Sequence, residues 1–171
     1  HDYPHQLSGG MRQRVMISLA LALNSDLIIA DEPTTSLDVI VEAQILDLLK
    51  ELRKTYHLTM ILITHNLGVV AELADRVAVM YAAKLVELAE ALPLYDEPLH
   101  PYTQGLLKSI PNISLGAQKL ETMPGSPPDL INPPSGCRFH PRCPHVMEKC
   151  AQEEPPMKKV KTEHWTACWL Y

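Results

Sequence analysis

Ser8-Gly9-Gly10 stand directly before a helical pattern, a place suited to hold an anion. Glycines let the backbone come close, and a helix N-terminus offers free N–H groups at the positive end of its dipole. The same residues also make an ordinary helix start with Ser8 as N-cap. Asp31 and Glu32 follow a short apolar run and, as neighbours on a strand, point to opposite sides. One such carboxylate can hold Mg²⁺ through water while the other orients or deprotonates a water attacking a phosphate; an isolated acidic pair there merely caps a turn. His65 ends the next apolar run, where an imidazole can donate to a phosphate oxygen and sense its presence.

A second group of reactive residues lies far along the chain. Cys137, Cys143, Cys150 and Cys168 are spaced C-x5-C-x6-C-x17-C within the last 35 residues, unlike the paired C-x2-C knuckles usual for structural zinc. In a reducing compartment such a set binds metal; in a secreted chain it forms two bridges. Both Zn²⁺ and a [4Fe–4S] cluster accept four thiolates. The wide gaps, stiffened by Pro141 and Pro144, favour the cluster. Phe139, Trp165 and Trp169 are expected to pack around the site, with His140, His145 and His164 solvated rather than ligating. Met157-Lys158-Lys159-Val160-Lys161 reads as a solvated basic strip.

The elements that must position these groups follow from periodicity. From Met11 to Leu23, Val15, Leu19 and Leu23 recur every four residues and predict a helix with one buried stripe. Leu27 to Ala30 and Met60 to Ile63 predict strands buried on both faces, as parallel sheets require. Val41, Ile45, Leu48, Leu49 and Leu52 predict a helix over residues 39–54, and a further helix is expected over about 67–74. Residues 76–81 and 85–88 read as two strands joined by a tight turn. Alternating strand and helix implies a parallel α/β sheet with right-handed crossovers, and ligands of such sheets sit at the carboxyl ends of strands, where Glu32 and His65 fall. Composition shifts near Pro93: 13 of 15 prolines lie beyond position 92. One short helix over 102–109 and an irregular arm over 115–135 are expected there.

Length and charge set bounds. The 171 residues are 46% apolar, enough for one domain or one and a part. The net charge is −5, with 7 basic and 12 acidic residues up to position 92 and 8 of each beyond. That balance argues against a nucleic-acid footprint. No apolar run approaches the roughly 20 residues that span a bilayer, and no secretory leader opens the chain, so a soluble protein is expected, meeting membranes only through partners.

Leu7 to Gln13 resembles the signature motif of ABC-type ATPases, Leu27 to Glu32 their Walker B strand, Ser36-Leu37-Asp38 their D-loop, and His65 their switch histidine. His100-Pro101-Tyr102-Thr103 with Leu106-Leu107, then residues 136–144, resemble the C-terminal extension of the ATP-binding subunits of oligopeptide and dipeptide importers. The resemblance implies the C-terminal part of a parallel-sheet P-loop-type ATPase core over residues 1–92, followed over 93–171 by a Pro-rich extension with a Cys₄ module.

It further implies that Ser8, Gly9, Gly10 and Gln13 face ATP held by a second ATPase subunit, homo- or heteromeric. Asp31 then serves Mg²⁺ through water, Glu32 is the catalytic carboxylate, His65 the phosphate sensor, and Asp38 a dimer contact that can double as a helix cap. Some members with these four cysteines carry a [4Fe–4S] cluster. The implied partners are transmembrane permease subunits and, indirectly, a solute-binding protein, at the cytoplasmic face of the membrane; the solute is a peptide or a relative such as nickel. The Gly-rich loop G-x-x-x-x-G-K-[ST] of a complete ATPase does not occur here, and the chain opens at His1-Asp2-Tyr3. A truncated back half, inactive alone, is therefore expected. The rival readings are a soluble ABC-type ATPase without a transporter and a metal or redox sensor.

Overall fold

The computed structural model describes residues 3–23, 25–109 and 123–171. The chain divides into two compact units, His1–Leu73 and Ala74–Tyr171. Compactness therefore changes some twenty residues before the composition does.

In the first unit, Ser8 caps helix α1 (Gly9–Ala22), accepting a hydrogen bond from the Met11 N–H at 3.3 Å. Strand β1 (Leu27–Asp31), helix α2 (Val39–Tyr56) and strand β2 (Thr59–Ile63) form a parallel crossover, with Leu27 opposite Thr59 and Asp31 opposite Ile63. Asp38 caps α2, its Oδ1 accepting from the Val41 N–H at 2.9 Å, and left-handed His57 ends the helix. Helix α3 (Leu67–Leu73) follows. Leu46 of α2 clusters with Val69 and Leu73 of α3, and Leu62 of β2 packs against them.

Two burial expectations fail in this unit. The strands alternate rather than being buried throughout: Ile28, Ala30, Met60 and Leu62 face inward, whereas Ile29 is 62% exposed. A parallel sheet hides both faces only between two layers. Among the described residues, helices cover only the face that carries Leu62. The predicted stripe of α1 is also exposed, Leu19 at 58%; the half-buried line runs instead through Gly10, Gln13, Ile17 and Leu21. Periodicity marks an apolar face but not which neighbour covers it.

In the second unit, strands β3 (Arg76–Tyr81) and β4 (Lys84–Glu90) form an antiparallel hairpin. Its two turn residues, Ala82 and Ala83, have φ of 47° and 61°, the left-handed geometry such tight hairpins demand, here without glycine. Helices α4 (Ala91–Asp96) and α5 (Pro101–Lys108) follow, then a 3₁₀ turn His140–Arg142 and α6 (Glu148–Gln152). Strands β5 (Lys158–Lys161) and β6 (His164–Thr166) complete a four-stranded sheet in the order β3-β4-β6-β5. The strip expected to be merely solvated is thus an edge strand, though Lys158, Lys159 and Lys161 do stay exposed. Of the arm expected over residues 115–135, positions up to 122 lie outside the described residues, and 123–135 contain no helix or strand.

The core of this unit is aromatic. Phe139, 1% exposed, meets Tyr81 edge-on at 5.1 Å and Tyr102 at 5.6 Å. Gly136 has φ of 62°, and a Cβ there would lie 2.4 Å from the Cys150 carbonyl oxygen. Only glycine lets the chain pass so close, and the Cys137 N–H then donates to that same carbonyl at 2.8 Å.

Candidate functional site

Glu32 and His65, 33 positions apart in sequence, meet at the carboxyl ends of the paired strands: His65 Nδ1 lies 2.9 Å from Glu32 Oε1. The Glu32 N–H donates to the Ile63 carbonyl at 2.8 Å, which ties the turn after β1 to the end of β2. Thr35 Oγ1 donates to Glu32 Oε2 at 3.0 Å. The bond to His65, reinforced by Thr35, holds the Glu32 carboxyl below its usual range, so it stays an ionised acceptor. Glu32 and Ser36 have φ of 46° and 67°, a left-handed backbone that non-glycine residues rarely adopt and that gathers at functional turns. Asp31, the last residue of β1, is exposed at the same edge.

The glycines have a role that anion binding alone does not foresee. A Cβ on Gly9 would lie 3.1 Å from Leu37 Cδ2, and one on Gly10 only 2.5 Å from Val41 Cγ1. The start of α1 therefore approaches the Ser36-Leu37-Asp38 turn and the start of α2 too closely for side chains. Two N-termini, capped by Ser8 and Asp38, are brought together. Gln13 lies one turn further along the half-buried face of α1, and the exposed Arg14 next to it donates to Gln44 Oε1 at 2.9 Å. Motif reasoning does not reach Thr35 or the Gly10–Val41 contact; a hydroxyl three residues after Glu32 is the only signal the sequence offers for the first.

In the second unit all four cysteines line one small cavity, of about 10 Å³, with Phe139, Trp169 and His100 among its walls. None is in a disulfide. Burial raises the thiols of Cys137 and Cys143 and pushes Cys168 up to about 11, with neighbouring thiols adding to the effect, so without a cation they stay protonated. Among the described residues, no three His, Cys, Asp or Glu side chains are arranged to hold a metal ion. The metal expectation therefore has a shared cavity but no converging ligand set.

Phe139 and Trp169 stand where expected, but Trp165 does not: Arg76 and Lys159 lie over its ring at 5.8 and 5.0 Å. His164, expected in solvent, is 1% exposed, and its Nε2 meets Oε1 of fully buried Glu87 at 2.7 Å. The reason is the pairing of β6 with β4, which no spacing in the sequence announces. Glu87 also accepts from the Leu99 N–H at 2.7 Å and the His100 N–H at 2.9 Å, so one carboxylate ties β4, β6 and the start of α5. Burial lowers His100 to about 4 despite nearby Glu87, leaving a neutral imidazole.

A parallel strand–helix–strand unit with paired acids and a histidine at the carboxyl ends of its strands, beside two joined helix N-termini, has the layout of an α/β protein that binds its ligand at that edge. In keeping with this, the family "ABC transporter" matches residues 1–35 and "Oligopeptide/dipeptide transporter, C-terminal region" matches residues 86–150. The dipeptide transport ATP-binding protein DppD of Caldanaerobacter subterraneus subsp. tengcongensis is 51% identical over 171 residues, 100% of this chain and 52% of its own. The oligopeptide transport ATP-binding protein AppD of Bacillus subtilis is 54% identical over 170 residues, 99% of this chain and 52% of its own. A metal-chelate type ABC transporter solved in an inward-facing conformation is 28% identical with a TM-score of 0.52, over 61% of this chain and 40% of that one. Over nearly all of its length the chain is similar to ATP-binding proteins of oligopeptide and dipeptide transporters. It spans about half the length of the relatives it matches. Among the described residues no helix is long and apolar enough to cross a membrane.

Proposed function

We propose that the chain is the C-terminal part of an ATP-hydrolysing subunit that powers import of peptides, or of related small solutes such as nickel, across the cytoplasmic membrane. The observation that carries this reading is the Glu32–His65 bond at the shared end of two parallel strands. Glu32 orients and activates the attacking water, and His65 holds Glu32 in place and reads the terminal phosphate. Asp31 would hold Mg²⁺ through water, and the bound cation would supply neutralisation of phosphate charge. Ser8, Gly9, Gly10 and Gln13 face the nucleotide of a second ATPase subunit, and Asp38 meets that subunit. Residues 1–92 serve the nucleotide and 93–171 form the importer-type extension. Transmembrane permease subunits hold the protein at the membrane, with a solute-binding protein acting further upstream.

Glu32→Gln, made in the chain joined to the upstream half of its relatives, keeps ATP binding and lowers turnover by about 10²- to 10⁴-fold. Turnover at the parental rate would show that Glu32 is not the carboxylate that activates water. Ser8→Arg in the same joined chain stops hydrolysis but spares ATP binding by the monomer, because Ser8 serves the partner's nucleotide. Equal loss of both would put the turn in its own chain's site.

For the cysteines we propose a metal group, with a [4Fe–4S] cluster as the first reading. Four thiols line one cavity, a donor set of the kind that a [4Fe–4S] cluster takes as one thiolate per iron. The second reading is a single Zn²⁺, which also accepts four thiolates. A bound metal would draw the thiols into their anionic form and tie the segments after Gly136 together. Brown protein with about four irons per chain supports the cluster; colourless protein with one zinc supports the ion.

A further inference from the structure

The His100-Pro101-Tyr102-Thr103 run has no task in the nucleotide chemistry, yet its histidine is among the most tightly held groups in the second unit. His100 is 1% exposed. Its backbone N–H is bound by buried Glu87, its ring leans on Phe139 at 5.7 Å, and its Nδ1 accepts from the Tyr102 N–H at 3.0 Å as the N-cap of α5. A nitrogen that accepts carries no proton, so in the neutral ring the proton is on Nε2. His100 also lines the cavity shared by Cys137, Cys143, Cys150 and Cys168. An imidazole with its tautomer set from behind and its ring in a cavity of sulfurs is arranged as an outer partner of whatever the sulfurs bind.

From this juxtaposition we infer that His100 is a positioning residue of the cysteine site, donating its Nε2–H to a metal-bound cysteine sulfur; the inference rests on the metal reading of the cysteines. Helix α5 would then be joined to the metal through its own cap. Glu87 sets the ring's height through the backbone, and His164, bound to the same carboxylate, braces Glu87 from β6. The run and the cysteines, separate in sequence, become one device.

His100→Asn separates this role from simple capping, because an Asn side chain still accepts from the Tyr102 N–H while removing the ring from the cavity. The full protein is purified anaerobically and its iron and zinc are measured, followed by the rate of metal loss to a chelator. The expected result is a metal-loaded parent, and a variant that loses metal about tenfold faster or more. Nitrogen-15 NMR of the zinc-loaded parent reads the tautomer without any substitution, and should find His100 protonated on Nε2 and bare on Nδ1. A parent free of iron and zinc overturns the metal reading and this one with it. A metal-loaded parent whose loss rate equals the variant's, or a His100 proton on Nδ1, overturns this inference alone.

Discussion

The two units handle polar groups in opposite ways. In residues 1–73 the groups proposed to serve the nucleotide, Asp31, Asp38 and His65, are exposed, and Glu32 is only partly covered. The same unit has apolar side chains that the described residues leave open, such as Ile29, Leu19 and Val39. In residues 74–171 the telling polar groups, Glu87, His100 and His164, are closed inside, each with a partner on another element. Residues that meet a ligand must stay at an edge and accept incomplete burial, whereas residues that hold a fold together are strongest where water is excluded. The same residue types therefore have different consequences when removed.

The largest effect is expected at Gly136→Ala. The added methyl meets backbone oxygen at 2.4 Å on a residue with φ of 62°, so neither rotamer change nor side-chain movement relieves it. Destabilisation of about 3 kcal/mol or more in denaturant unfolding is expected for the second unit. Glu87→Ala comes next, at about 3 kcal/mol, because it strands two buried N–H groups and the ring of His164. The contrast is Glu32→Ala, which stops turnover in the joined chain but moves the unfolding midpoint little, as expected of a partly exposed pair. A large stability loss at Glu32 would erase the distinction between the units.

A smaller loss, about 1–3 kcal/mol, is expected for Gly10→Ala, whose methyl collides with a Val41 side chain that has some freedom to turn. Val41→Ala made in the same chain should recover part of it, and a double-mutant cycle measures the coupling. Ser8→Ala removes one N-cap and costs about 1 kcal/mol. The smallest effect is Leu19→Ser in the chain as it stands: the residue is 58% exposed, so the change in unfolding free energy stays within about 0.5 kcal/mol. The same substitution becomes costly if the upstream half of the relatives covers that face, which makes it a direct probe of the open surface.

Much of the site is legible in short stretches of the chain. The positions of Asp31, Glu32 and His65 at strand ends follow from short apolar runs bounded by polar residues, and both caps follow from Ser8 and Asp38 standing before helical patterns. These are local features, determined by backbone preferences over a few residues. The parallel pairing of β1 with β2 follows almost as directly, because a helix-length crossover leaves little choice.

Tertiary structure decided the rest. Whether Val15 and Leu19 are core or surface depends on the layer opposite them, and the periodicity of a helix is silent about that. The pairing of β4 with β6 joins residues some 77 positions apart and turns Glu87 and His164 into a buried pair. No pattern within either strand encodes the other. The gathering of four widely spaced cysteines into one cavity needed Gly136 to let two backbones touch, and the assignment of His100 to that cavity needed the carboxylate beneath it. The sequence by itself determined which groups can do chemistry and which elements carry them, since both are local; which groups meet was left to long-range packing, where each contact's energy depends on what excludes water around it.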